Sequence, residues 1–134
     1  MKFTINRLAF INALNNVLRA VSSKTTIPIL TGLKLVVETD QIILTGSNAD
    51  ISIETTINQT DGEYALTVSE PGAIVLPARF FIEIIKKLPD QQVSIAINDG
   101  FQATITSGTA EFTINGQDAN NFPHLPEVDS ASQV

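Results

Sequence analysis

A repeated order of predicted elements restricts the fold of this chain more than any other feature of its sequence. Segment 6–22 lacks Pro and Gly and spaces its apolar residues along one side of a helix, and segment 78–88, between Pro77 and Pro89, predicts a second helix. Each helix follows one predicted strand and precedes three, so a β-α-β-β-β unit occurs twice, offset by roughly seventy residues. Alternating or β-branched residues predict strands at 2–5, 32–38, 41–45, 51–57, 64–68, 73–76, 92–98, 101–106 and 110–115.

The turns between neighbouring strands indicate how the strands pair. Thr39-Asp40, Asp99-Gly100 and Ser107-Gly108 are short connections of the kind that joins antiparallel strands. The chain therefore predicts an α+β fold in which two helices cover one face of antiparallel sheets. We expect one domain over residues 1–122, and the proline-containing, polar segment 123–134 is typical of the start of a linker.

The composition excludes most catalytic and metal sites. The chain has no Cys and one His, which removes thiol nucleophiles and Cys/His zinc sites, and we expect no catalytic residue, metal or cofactor. A hydrolase built on His124 has no suitably placed nucleophile in its favour. Acids such as Asp61 and Asp118 lie beside turn-forming residues, where turn capping is their expected role. Apolar runs are too short for a signal peptide or a membrane span, which predicts a cytoplasmic protein without a membrane partner.

Basic and acidic residues are segregated along the chain. The net charge is −6, yet residues 1–24 carry four basic residues and no acid, and residues 78–88 carry three basic residues against Glu83. On the first helix, Asn12, Asn16 and Arg19 share a face opposite the apolar side, and Asn15 breaks this pattern. On the second helix, the predicted outer face holds Arg79, Glu83, Lys86 and Lys87. Such faces suit sequence-independent contacts with phosphates, although solvated helix faces also carry Lys and Arg.

Some apolar residues exceed what the predicted core needs. Phe80 and Ile84 flank the buried stripe of the second helix, and Phe112 and Ile114 lie on the last predicted strand, a sheet edge. An open edge beside exposed apolar side chains favours a partner that covers it. The alternative is that these residues complete the core.

Five segments in order resemble the N-terminal domain of the bacterial DNA polymerase III β subunits, the sliding clamps. They are MKFTINR (1–7), KTTIPILTGLKL (24–35), LTGSNADISI (44–53), LPARFFIEIIKKLP (76–89) and FTINGQDANNFPHLP (112–126). The resemblance covers nearly the whole chain. It implies a first domain of a three-domain chain that dimerises head to tail into a ring around duplex DNA, with helices lining the hole and sheets outside.

The resemblance also implies roles for individual residues. Lys24 and Arg79 match positions that contact DNA, while facing and charge add Arg19, Lys86, Lys87 and Asn12 to the DNA-binding set. The ring-closing dimer interface corresponds to Phe80, Ile84, Phe112 and Ile114, and Phe80 stands where relatives carry a lysine, so packing would replace an ion pair.

The implied function is that of a non-catalytic processivity factor of chromosomal replication. Clamp loader and DNA polymerase III would bind through the second and third domains, which this chain lacks. The alternative is a non-catalytic interaction scaffold that recruits a protein through its edge strand and has no role with DNA.

Overall fold

The computed structural model describes residues 1–21, 32–47 and 51–122, and it confirms the duplicated order of elements. The predicted first helix at 6–22 is observed as Arg7–Leu18, where the Asn6 side chain accepts a hydrogen bond from the Ala9 amide at 3.0 Å and caps the helix. The elements are β1 (Lys2–Asn6), α1 (Arg7–Leu18), β2 (Gly32–Val37), β3 (Gln41–Ser47), β4 (Ser52–Asn58), β5 (Thr67–Glu70), β6 (Gly72–Pro77), α2 (Ala78–Lys87), β7 (Gln92–Ile97), β8 (Gln102–Ser107), β9 (Ala110–Asn115) and a 3₁₀ turn (Ala119–Asn121).

Two antiparallel sheets exchange their first strands between the repeated units. One sheet has the order β5-β1-β7-β8-β9 and the other β4-β3-β2-β6. Thus β1 of the first unit pairs with β7 of the second, and β6 of the second pairs with β2 of the first. The exchange ties the two units into one body with a common core.

The strand predicted at 64–68 is wrong in its first half. Strand β5 begins at Thr67, and residues before it form a turn in which the Asp61 carboxylate accepts a hydrogen bond from the Glu63 amide at 3.2 Å. Ala65 has a φ of 47°, in the left-handed region that a strand excludes. The Tyr64 carbonyl instead accepts from the Asn6 amide at 2.7 Å, so this turn closes over the end of β1.

The two helices lie side by side and run in opposite directions. Phe10 and Phe81, each the fourth residue of its helix, meet edge to face with ring centroids 6.0 Å apart. Arg7 at the start of α1 donates to the carbonyl oxygens of Asp90 (2.9 Å) and Lys86 (3.4 Å) at the end of α2. Arg79 at the start of α2 donates to the Val21 carbonyl at 3.2 Å, just past the end of α1. The C-terminal end of each helix is therefore held by an arginine from the start of the other helix.

A glycine lets β3 pass directly under the end of α1. A Cβ atom added to Gly46 would lie 2.4 Å from the Val17 carbonyl oxygen and 3.0 Å from Val21 Cγ2. Real Cβ atoms do not approach a backbone oxygen so closely, and a helical carbonyl cannot turn aside. The helix or the strand would have to move.

We expect Gly46→Ala to lower the free energy of unfolding by about 1–3 kcal/mol, the usual cost of forcing extra volume into a packed site. Gly62→Ala is the matched control, because nothing lies within 4 Å of its added Cβ. Urea denaturation of the two variants measures the difference. Equal stability of the two variants would contradict the close approach of α1 and β3.

Candidate nucleic-acid interface and edge surface

The outer sides of α1 and α2 form one exposed face, and its cations are those expected from the sequence, except that Lys24 lies outside the described residues. Asn15 is exposed like Asn12 and Asn16, so the interpretation that it breaks the pattern of this face is wrong, because the exposed arc of α1 is wider than one row of residues. Glu83 is the one acid that the two helices carry. The exposed residues are Leu8, Asn12, Asn15, Asn16, Arg19, Arg79, Phe80, Glu83, Lys86 and Lys87.

The cations of this face differ in how free they are. Arg79 gives one of its five N–H donors to the Val21 carbonyl and keeps the others available. Lys86 Nζ lies 3.8 Å from Glu83 Oε2 in an exposed pair, which offsets part of its charge. Arg7 donates twice to carbonyls, so it serves the fold more than the surface.

The four apolar residues assigned to an interface divide into two exposed and two buried. Phe80 is 59% exposed and Phe112 is 42% exposed. Ile84 and Ile114 are 6% and 5% exposed and belong to the core, so the expectation that they form surplus apolar surface is wrong. For Ile84, the helical pattern predicted a buried stripe that is narrower than the side of α2 that packs in the core. Ile114 is paired with buried Ala103 on the core side of the sheet, so it is buried although its strand lies at the edge.

Two large exposed apolar residues have no sequence-based prediction. Leu8 is 63% exposed on the outer face of α1, and Ile51 is 51% exposed just before β4. Leu8 precedes Asn12 by one turn, so the position of Asn12 on the polar face was a signal for Leu8 as well. The position of Ile51 before an edge strand depends on the sheet order, which the sequence does not give.

The sheets have open edges at β4, at β9 and at the short strand β5. Within the described residues, each of these strands pairs with one neighbour, whereas β1 is covered by β5 and β6 is bridged through Val75 to Gln117. Two of these edges, β4 and β9, are the third strands after each helix and share a sequence, Glu54-Thr-Thr-Ile-Asn58 and Glu111-Phe-Thr-Ile-Asn115. The difference is Phe112, whose counterpart is Thr55. The β9 edge is therefore the apolar one of an otherwise matched pair.

The helix contacts explain why Phe112 is open. Helix α1 packs over β3 and β4, where Gly46 permits close approach, whereas the main contacts of α2 are with α1, β2 and β6. Gly46 of β3 has Ser107 as its counterpart on β8. The β4 edge is thus covered from the helix side more fully than the β9 edge. A partner has access to Phe112 from the edge of the sheet.

The titratable groups of the described residues show structural roles. The Asp118 carboxylate accepts from the Asn120 amide at 2.9 Å, which confirms turn capping for this residue as for Asp61. Burial raises the pKa of Tyr64, and the carboxylates of Glu63 and Asp61 raise it further, so its hydroxyl stays protonated at neutral pH.

No group of three metal-ligating side chains occurs in residues 1–21, 32–47 and 51–122. His124 lies outside these ranges. No helix in the same ranges is long and apolar enough to cross a membrane.

Comparison with known proteins gives consistent matches along the chain. Residues 1–126 match the family model of the DNA polymerase III beta subunit, N-terminal domain. The beta sliding clamp of Staphylococcus epidermidis is 51% identical over all of this chain, and that of Staphylococcus aureus is 50% identical, each match covering 36% of the relative. The chain thus spans about a third of the length of the curated relatives it matches.

Solved structures of the same kind superpose closely on this fold. A DNA polymerase sliding clamp from Bacillus subtilis matches with a TM-score of 0.91 and 49% identity over 96% of this chain and 34% of its own. The beta chain of DNA polymerase III from Streptococcus pneumoniae gives a TM-score of 0.92 with 39% identity over 95% of this chain and 34% of its own. These matches confirm the α+β fold with two helices on antiparallel sheets.

Proposed function

Because this chain belongs to the DNA polymerase III beta subunit family and matches its N-terminal domain over residues 1–126, we propose that it is the first domain of a replication processivity clamp. The observation that carries the proposal is the segregation of charge by layer. The helix face exposes Arg19, Arg79, Lys86 and Lys87 against one carboxylate, while most acids of the chain lie in strands and turns.

The helix face fits duplex DNA read without sequence specificity. Arginine and lysine from helix surfaces contact phosphate oxygens, which position a duplex and carry no base code. Asn12 adds an amide that can donate to a phosphate or to a bridging water. The resemblance adds Lys24, which follows Val21 by three residues in the sequence. The Val21 carbonyl is the acceptor for Arg79. We assign Arg79 a double role, as a phosphate contact and as a tether for this end of α1.

The open strand edges support head-to-tail assembly. In the duplicated fold, β4 and β9 are equivalent strands of the two units, so one domain offers an edge on each side. Two different edges on one molecule give heterologous contacts, which close into a ring when the rotation permits. We propose that β9 closes a dimeric ring, with Phe80 and Phe112 in contact with the partner and with Ile84 and Ile114 packed behind them as support.

The remaining assignments follow from the same proposal. Residues 1–122 form the domain and 123–134 begin the linker to further clamp domains. Clamp loader and DNA polymerase III bind to those further domains, in the cytoplasm. The clamp has no catalytic residue and no cofactor, and it increases processivity by topology, since an encircled duplex cannot dissociate sideways.

Charge reversal tests the DNA role. In the full-length protein, we expect Arg19→Glu with Lys87→Glu to weaken direct binding to linear duplex by at least about tenfold, because hydrogen bonds to charged groups contribute about 1.5–3 kcal/mol each. The slope of log affinity against log salt should become shallower by roughly 0.9 per lost phosphate contact. Fluorescence anisotropy titrations at several salt concentrations measure both.

Lys34→Glu is the matched control for this experiment. Lys34 lies on β2 between the buried residues Leu33 and Leu35, so its side chain points away from the core and the helices. This single reversal changes the charge by two units, so it is compared with Arg19→Glu and Lys87→Glu made one at a time. It should have a much smaller effect than either. The scaffold alternative predicts that all three substitutions leave DNA binding unchanged, and that result would overturn the proposed function.

A further inference from the structure

The exposed face of α1 carries no charge along most of its length. Leu8, Asn12, Asn15 and Asn16 are exposed, and at 100° per residue they occupy an arc of about 100°. Arg19 lies on the same arc, just past the C-terminal end of the helix. We call these four residues the uncharged stripe. From Leu8 to Arg19 the helix rises about 16 Å, at 1.5 Å per residue.

Cations lie at both ends of this stripe. The hydrogen bond from Arg79 to the Val21 carbonyl places the start of α2 beside the end of α1, so Arg79 and Arg19 lie at the same end. The hydrogen bonds from Arg7 to the carbonyls of Lys86 and Asp90 place the end of α2 beside the start of α1. Lys86 and Lys87 therefore lie at the opposite end. The exposed cations form two pairs with the uncharged stripe between them.

This arrangement limits how strongly a duplex is held. Duplex DNA carries about one negative charge per 1.7 Å of its axis, so its phosphates present no gap that matches the stripe. A lysine on each turn of α1 would meet phosphates continuously and release more counterions on binding. Amide groups donate to phosphates or to water through hydrogen bonds roughly half as strong as charge-assisted ones, and Leu8 offers no donor.

We propose that the uncharged stripe of α1 is a spacer that restricts charge-assisted DNA contacts to two cation pairs and so keeps the clamp mobile on the duplex. This inference rests on the proposed function, since it assigns the asparagines a part in the same DNA-facing surface. The asparagines contact the duplex through weak, exchangeable hydrogen bonds, and the cation pairs at the two ends hold it over the two helices. Low affinity for DNA at the middle of α1 then follows from its uncharged side chains.

Lysine substitution in the full-length protein tests the spacer. The variant Asn12→Lys, Asn15→Lys, Asn16→Lys should bind linear duplex more tightly, and its affinity should fall about 40-fold more steeply between 50 and 200 mM salt if each lysine adds one phosphate contact. Labelled rings loaded on end-blocked DNA should also diffuse more slowly than the wild-type rings. Single-molecule tracking measures that diffusion.

Two control variants separate position from charge and from side-chain size. Thr67→Lys, Thr104→Lys, Thr106→Lys adds the same charge on the sheet face that points away from the helices. Asn12→Gln, Asn15→Gln, Asn16→Gln keeps the amides and adds no charge, so its salt slope should change far less than that of the lysine variant on α1.

The outcomes distinguish this inference from the proposed function. A salt slope and a diffusion coefficient that change equally in the two lysine variants, while wild-type rings stay on circular DNA, would overturn the spacer alone. Failure of wild-type rings to remain on circular DNA would overturn the proposed function itself.

Discussion

Phe112→Asp in the full-length protein should weaken the proposed dimer contact at β9 at least about 30-fold, the effect of losing one interface hot spot of about 2 kcal/mol. Phe112 is 42% exposed at the open β9 edge, next to a core that holds Ile105 and Ile114. An aspartate there would carry a charge into a contact that excludes water, which adds a desolvation cost to the lost packing. Sedimentation equilibrium over a range of concentrations measures the dimer dissociation constant.

Thr113→Asp is the matched control for this substitution. It lies on the same strand, but its side chain points to the opposite face of the sheet, where Thr104 is its neighbour. The same charge at this position should leave the dimer largely intact. If both variants dissociate equally, the interface does not depend on the core-side edge of β9 and the assignment of Phe112 is wrong.

Phe81→Ala should lower the free energy of unfolding by about 3–5 kcal/mol, the usual cost of removing a buried aromatic side chain. Phe81 is fully buried and meets Phe10 edge to face where the two helices touch. Since a domain of this size is stable by about 5–15 kcal/mol, this single change removes a large part of the total. Denaturant titration of the chain measures the loss.

Phe80→Ala provides the comparison for Phe81→Ala, because the Phe80 side chain, next to Phe81 in the sequence, is 59% exposed. We expect the free energy of unfolding of this variant to lie within about 0.5 kcal/mol of the parent value, as for most exposed positions. A double-mutant cycle of Phe10→Ala with Phe81→Ala should give a coupling of about 0.5–1.5 kcal/mol for the ring pair. Equal losses for Phe80→Ala and Phe81→Ala would contradict the burial that separates the two rings.

The duplicated order of elements could be predicted because it depends on local periodicity. Alternation in β7, β8 and β9 and helical spacing in α2 are each contained within a few residues, and short turns indicate which neighbours pair. The exchange of β1 and β6 between the two units could not be predicted in this way. It depends on pairings such as Phe3 with Ile95, which are long-range and leave no local signal.

The sequence predicts which cations are exposed on the helices, but it does not predict the burial and hydrogen bonds that depend on how the helices pack. The exposed cations Arg19, Lys86 and Lys87 follow from helical facing alone. The burial of Ile84 depends on how α2 packs against β2 and β6, so a helical wheel misassigns it. The tether from Arg79 to Val21 depends on the antiparallel placement of α1 and α2, which a single helix pattern does not contain.

The difference in cover between the β4 edge and the β9 edge could be found only from the structure. The Thr55 and Phe112 positions are equivalent in the repeated sequence, yet α1 covers the first edge and α2 leaves the second more open. Gly46 permits the close approach of α1 to β3, since a side chain there would collide with the Val17 carbonyl. A glycine in a strand indicates close approach without saying which element approaches.

Retention on circular DNA shows whether the full-length protein encircles its duplex. The full-length protein is loaded onto a nicked circular duplex by an active clamp loader, washed at high salt, and the bound protein is counted before and after the circle is linearised. A clamp that holds DNA by encirclement stays on the circle through the wash and slides off the linear form. Equal loss from both forms, with a closed dimer and an active loader demonstrated in the same preparation, would contradict the account.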